Sequence, residues 1–152
     1  MTNIVFRTAT QQDLASIINM LADDPLGALR EDPSSSAYAD TFKIIEADPH
    51  NQIIVADQGG DVVACLQLTF IHGLSHTGAT RAQIEGVRVA STQRGQGLGQ
   101  RLFKHAIELA QDRGCTLVQL TTDASRDDAQ AFYKKLGFTP SHIGMKLVLK
   151  SK

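Results

Sequence analysis

Three features of the 152-residue chain carry groups able to do chemistry. The first is the segment Gln93-Arg94-Gly95-Gln96-Gly97-Leu98-Gly99, in which three glycines alternate; with Gly86, four of the 12 glycines fall within residues 86–99. Glycines let a backbone approach an anion closely and turn several N–H groups toward it, and a helix starting there adds roughly half a positive charge. The chemistry on offer is phosphate or pyrophosphate binding; the plainer reading is a helix start with glycines for close packing. The second feature is Glu85, a carboxylate on the segment leading into that turn, either a proton acceptor or a group on a solvated strand face. The third is Tyr133, whose phenol is either a proton donor or the polar edge of an apolar core.

Two familiar phosphate sites are disfavoured. A Walker A loop needs GxxxxGK[ST], and no Lys-Ser or Lys-Thr follows these glycines. The dinucleotide fingerprint GxGxxG is missed because Gly95-Gln96-Gly97-Leu98-Gly99 is GxGxG, and the turn comes too late in the chain for a second mononucleotide half. Cys65 and Cys115 lie in apolar stretches, form no CxxC pair and read as buried free thiols, not as nucleophiles. His72, His76 and His142 fall in connecting segments without the spacing of a metal site, so no metal is expected.

The elements that must position these groups follow from hydrophobic periodicity. Ile4 to Thr8 reads as a strand; Thr10 and Asp13 resemble a capping box opening a helix with Leu14, Ile17, Ile18 and Leu21 on one face. Residues 23–36 have loop composition with acids at Asp23, Asp24, Glu31 and Asp32, and a second helix is predicted from about Ser35 to Ala47. Gln52–Asp57 and Val62–Phe70 read as a hairpin about a turn at 58–61, and Arg81–Val89 as a further strand. From Gly97 the period becomes 3.6, with Leu98, Leu102, Ala106 and Leu109 on one stripe, up to a basic last turn at Arg113-Gly114. Cys115–Thr121 is a predicted strand, Ser125 and Asp128 a second capping-box-like start, and the helix carrying Ala129, Phe132, Tyr133 and Leu136 stops at Gly137. Last strands are predicted from Phe138 onward and over Lys146–Leu149. The order β-α-α-β-β-β-α-β-α-β-β describes an α/β chain with one mixed sheet and helices on both faces. No repeat or linker interrupts it, so residues 1–152 are expected to form a single domain.

Arg94-Gly95-Gln96-Gly97-Leu98-Gly99 reads as R-x-x-G-x-G and, with Val87-Arg88-Val89 before it, resembles the acetyl-CoA-binding motif of the GNAT family of N-acetyltransferases. About 30 residues later, Ala129-Gln130-Ala131-Phe132-Tyr133-Lys134-Lys135-Leu136-Gly137-Phe138 is similar to that family's second signature. The resemblance implies a mixed, mostly antiparallel sheet with a V-shaped splay between strands 4 and 5. It also implies that backbone amides of Arg94, Gly95, Gln96, Gly97, Leu98 and Gly99 bind the CoA pyrophosphate, and that main-chain groups of Val87, Arg88 and Val89 hold the pantetheine arm. By the same resemblance Glu85 is the candidate base and Tyr133 the candidate general acid. The implied reaction is direct acetyl transfer from acetyl-CoA to a primary amine of a small molecule or peptide, without an acyl-enzyme. One departure is Arg126, where many relatives have Asn; a CoA phosphate, an acidic substrate group or a surface pairing with Asp are its alternatives.

Composition bounds the partners. Fifteen Lys+Arg against 16 Asp+Glu give a net charge of -1, so no global field attracts nucleic acid or an anionic membrane, and no apolar run is long enough for a membrane span. The start, Met1-Thr2-Asn3-Ile4, lacks a basic segment followed by an apolar one, and a cytoplasmic location is the expectation. A homodimer is within expectation, since dimers are common in similar proteins. The rival to catalysis is a non-catalytic CoA-binding regulator of the same fold.

Overall fold

The computed structural model describes residues 3–150. Its strands are β1 (Ile4–Thr8), β2 (Asn51–Gln58), β3 (Asp61–His72), β4 (Thr80–Val89) and β5 (Leu117–Gln119), forming one sheet in the order β1-β2-β3-β4-β5. The first four pair antiparallel, and β4 with β5 is the parallel pair. Helices α1 (Leu14–Ala22), α2 (Gly27–Arg30) and α3 (Ala37–Ala47) lie between β1 and β2 in sequence. A single turn α4 (Ser75–Gly78) joins β3 to β4, α5 (Leu98–Asp112) joins β4 to β5, and α6 (Asp127–Lys135) follows β5.

Alternation along the strands splits the core in two. Ile54 and Ala56 of β2 and Ala64, Leu66, Leu68 and Phe70 of β3 face α5, meeting Leu98, Leu102, Phe103, Ala106 and Ala110. Val55 and Cys65, between them in sequence, point the other way and pack with Ile17, Met20 and Phe42 from α1 and α3. The period-3.6 stripe read from Gly97 onward is thus the buried face of α5, with Leu102, Phe103 and Ala106 fully buried.

At the start of α1, the Thr10 N–H donates to Asp13 Oδ2 at 2.7 Å, as the Thr10 and Asp13 spacing predicts, and a 3-10 turn (Gln11–Asp13) precedes the helix. Asp13 also accepts two bonds from Arg7, at 2.7 and 2.9 Å, fastening α1 to β1. The hairpin turn falls where predicted: Asp57 Oδ1 accepts from the Gly60 N–H at 2.7 Å.

Three expectations are corrected. The Ser125–Asp128 cap does not form: both the Ser125 N–H and its hydroxyl donate to Asp123, and Arg126 is the N-cap of α6 without a side-chain bond. The strand expected over 115–121 pairs only at Leu117–Gln119, because its partner β4 pairs with it only at Arg81–Gln83. No strand forms after α6 among the described residues, so those expected from Phe138 onward and over Lys146–Leu149 are absent. A period-2 pattern marks a chain able to present one face, but pairing needs an edge alongside it, and this segment leaves its own sheet.

Candidate active site

The site begins with a break in strand pairing. Cys65 pairs with Arg88 and Gln67 with Glu85, leaving a register shift centred on Gly86, whose φ is +60°. β5 pairs with β4 only at Arg81–Gln83, so Ile84–Val89 runs on without a neighbour on that side. This is the splay that the resemblance implies, and it leaves main-chain groups of β4 accessible to an extended ligand.

The turn into α5 follows directly. Gly95 and Gly97 adopt φ of +77° and +79°, and a Cβ on either would meet nothing within 4 Å. Glycine is required there by backbone conformation and not by crowding, and the space beside the turn is open. Gly97 is the N-cap of α5, so the first N–H groups of a 15-residue helix point out of the turn. Gly99 is different: a Cβ there would lie 3.6 Å from Phe132 and 3.7 Å from Val89, so this position lies against α6 and β4.

Val87, Arg88, Val89 and Arg94 line one cleft of about 690 Å³ together with Ala22–Pro25, Ala28 and Arg126. Apart from Arg126, its charged side chains are already engaged with one another or with nearby main chain. Arg88 Nε lies 2.7 Å from Asp24 Oδ2 and its Nη1 donates to the Val87 carbonyl at 2.8 Å. Arg94 Nε donates to the Val89 carbonyl at 3.1 Å, and its Nη2 reaches the Asp23 carbonyl at 3.4 Å. Asp24 also accepts from the Gly27 N–H at 2.6 Å, starting α2. Burial pushes the Asp24 carboxyl up, but the Gly27 N–H and the Arg88 cation outweigh it and hold the group below the usual carboxylate range. Of the acid-rich loop, Glu31 accepts from Tyr38 and Arg30, and Asp32 accepts from Ser34. Asp23, Asp24 and Glu31 each have an arginine within 4 Å, whereas Asp32 is exposed and has only neutral donors beside it.

Glu85 is exposed on β4, where its Oε1 accepts from Gln83 Nε2 at 3.0 Å, and it is not a lining residue of the cleft. Tyr133 projects from α6 into an aromatic cluster, with ring centroids 5.5 Å from Phe103, 5.6 Å from Phe132 and 6.1 Å from Phe138. Burial raises the pKa of its phenol, against the pull of the Arg126 and Arg88 cations, so it holds its proton more firmly than a free phenol. Those two arginines line the cleft, whereas Tyr133 is not among its lining residues.

Arg126 is the residue the sequence leaves least determined. It makes no ion pair among the described residues, so pairing with Asp on the helix surface does not occur, and it contributes to the lining of the cleft. His142 bonds to its neighbour Ser141, and His72 to Thr80 across the β3–β4 junction; neither lines the cleft. Cys65 is buried with its thiol pushed up to about 12 by burial, and burial raises the Cys115 thiol as well, so both remain neutral and poorly nucleophilic. Among the described residues no group of three or more His, Cys, Asp or Glu is arranged to hold a metal, and no helix is long and apolar enough to cross a membrane.

Comparison with known proteins places this geometry. The chain is 29% identical over 137 residues to an aminoalkylphosphonate N-acetyltransferase of Salmonella typhimurium, covering 90% of this chain and 86% of that protein. It spans only 28% of a mycothiol acetyltransferase from Pseudarthrobacter chlorophenolicus, at 34% identity. Among solved structures, a transcriptional regulator from Bacillus halodurans C-125 matches with a TM-score of 0.93 and 47% identity, covering 97% of this chain and 100% of that chain. An acetyltransferase from Trypanosoma brucei matches with a TM-score of 0.81 and 26% identity, over 97% and 100%. The model of the acetyltransferase (GNAT) family matches residues 14–138, a stretch holding the splayed β4, the glycine turn and Tyr133 alike. The chain belongs to that family of acetyltransferases.

Proposed function

We propose that residues 1–152 act as one domain that transfers the acetyl group of acetyl-CoA directly to a primary amine of a small molecule or peptide. The observation that carries this reading is the unpaired run of β4 opening onto the left-handed turn at Gly95 and Gly97. An anion bound there meets the N-terminal amides of α5, while an extended arm finds the main chain of Val87, Arg88 and Val89. Arg88, Arg94 and Arg126 supply the cationic surroundings that a polyanionic cofactor needs in a chain of net charge -1.

When bound, acetyl-CoA supplies the activated acetyl thioester. Glu85 accepts the proton that an ammonium must lose before its nitrogen has a lone pair, through a water where the distance requires it. An N–H near Val87 polarises the carbonyl under attack, a contribution of about 3–4 kcal/mol when well placed. Tyr133 holds its phenolic proton, as the rise in its pKa requires, and gives it to the departing thiolate.

The 47% identity to a protein described as a transcriptional regulator favours a second reading, a CoA-binding regulator without catalysis. A steady-state thiol-release assay over amines, amino acids, polyamines, aminoglycosides and peptides decides between them. Acceptor-dependent release supports the transferase, whereas acetyl-CoA binding without release from any acceptor supports the regulator. Comparing CoA, acetyl-CoA and succinyl-CoA in the same assay fixes the acyl group.

A further inference from the structure

Three arginines and two aspartates line the cleft: Arg88, Arg94 and Arg126 against Asp23 and Asp24. Four of these charges offset one another. Arg88 Nε stands 2.7 Å from Asp24 Oδ2, and Arg94 Nη2 stands 3.9 Å from Asp23 Oδ2 while its Nε donates to the Val89 carbonyl. Arg126 is left over. It is exposed, and its side chain makes no ion pair and no hydrogen bond among the described residues. The acids beside it in sequence do not offset it within the cleft: Asp123 accepts from the Ser125 N–H and hydroxyl, and neither Asp127 nor Asp128 is a lining residue. The surplus positive charge is thus carried by a planar group of several donors, a shape that suits a bidentate anion.

The place of Arg126 along the cleft distinguishes it from Arg94. Arg94 belongs to the glycine turn, just before the first amides of α5. Arg126 instead caps α6, about two turns before Tyr133. Burial dominates the behaviour of the Tyr133 phenol, and the cations that act against it are Arg126 and Arg88. A positive field at that end discriminates among amines. It repels an ammonium and favours the free base, so a purely cationic acceptor is disfavoured, while an acceptor that brings its own anion offsets the surplus charge.

Resting on the acetyltransferase reading, we propose that the acceptor is a primary amine that also carries an anionic group, a carboxylate or a phosphate-type oxyanion, and that Arg126 binds this group. The cofactor's phosphates have the α5 amides and Arg94 at the glycine turn, and the acceptor's anion has Arg126 at the end nearer Tyr133. Arg126 then sets acceptor specificity and takes no part in proton transfer. Polyamines and aminoglycosides, which carry amines without an anion, are poor acceptors.

Thiol release from acetyl-CoA tests this on matched acceptors: amino acids against their amides, short peptides against their C-terminal amides, and 2-aminoethyl phosphate against ethanolamine, with spermidine and an aminoglycoside as purely cationic members. In the unaltered chain the anionic member of the best pair is expected to have at least about tenfold higher kcat/KM, and which pair shows this tells carboxylate from phosphate. Arg126→Gln is expected to reduce that preference at least about tenfold, mostly through KM. Acetyl-CoA is common to both members of a pair, so the ratio is blind to any change in its binding. Arg126→Glu is expected to reverse the preference, which a misfolded variant cannot do. A best acceptor without an anion, or a preference that survives Arg126→Gln, overturns the proposal and leaves the acetyltransferase reading standing. No acceptor-dependent release from any member overturns both.

Discussion

Arg88 Nε and Asp24 Oδ2 stand 2.7 Å apart across the cleft, with the Arg88 side chain 11% and the Asp24 side chain 19% exposed. This contact ties the loop between α1 and α2 to β4 at the point where β4 has lost its neighbour. Asp24→Ala strands a largely buried cation and also uncaps the Gly27 N–H, and is expected to cost about 2–4 kcal/mol of stability. Urea unfolding measures it, and a loss below about 0.5 kcal/mol means that the pair does not hold the loop.

Tyr133→Phe keeps the ring among Phe103, Phe132 and Phe138 and removes only the hydroxyl. Turnover is expected to fall by about 10–10³-fold with acetyl-CoA affinity nearly unchanged. Steady-state kinetics with the best acceptor, beside calorimetric titration of acetyl-CoA, separate the two effects. Unchanged kcat removes Tyr133 from the chemistry.

Glu85→Gln is expected to lower kcat/KM by about 10²-fold at neutral pH, with recovery as the pH rises and more of the acceptor amine is already free base. A pH profile is the deciding measurement. If the deficit is the same from pH 7 to pH 10, the carboxylate does not act as a base.

Gly97→Val forces a β-branched residue into a φ of +79° in open space. The fold should persist, since no neighbouring atom is displaced, while the amides at the start of α5 lose their arrangement. Acetyl-CoA binding is expected to weaken at least about tenfold with an unchanged far-UV spectrum, and affinity equal to the unaltered chain would sink the backbone cradle.

Asp13 makes stability pH-dependent. Its hydrogen bonds to Arg7 lead the effects that bring its pKa down to about 2 from the usual 3.8. A carboxyl lowered on folding stabilises the protein fully above its unfolded pKa and loses that contribution as the pH falls through the folded one. About 2 kcal/mol should therefore disappear between pH 5 and pH 2, and Asp13→Asn should abolish this part of the slope. Urea midpoints across that range test it.

What could be read from the sequence was whatever is set by neighbours along the chain. The stripe Leu98, Leu102, Ala106 predicts the buried face of α5, and the turn at 58–61 fixes the β2–β3 hairpin, because both are local. The first of the two signatures contains Val87, Arg88, Val89 and Arg94, and these four residues line one cleft. Ser125 misled because its N–H and its hydroxyl both turn back to donate to Asp123, two residues earlier, and the helix starts one residue later at the Arg126 cap. For Arg126 the sequence leaves three alternatives open, and it is the tertiary arrangement that puts it in the lining of the cleft. The alternation at 143–149 predicts a strand, but a strand also needs an edge beside it, and among the described residues this segment pairs with none.

The two cores differ in a way that bears on how such a protein can change over time. The α5 side is one continuous body in which Leu66, Leu68, Leu102, Phe103 and Ala106 are sealed from water, whereas the α1 and α3 side rests on a handful of residues around Phe42 and Val55. Opening of the thinner side costs less, so amides in α1 to α3 should exchange with solvent sooner than those of α5. Substitutions there also draw on a smaller share of the total stability, which leaves the first 50 residues freer to drift. The half of the molecule that closes over the cleft can be rewritten for new partners while the glycine turn stays seated on a platform that barely notices.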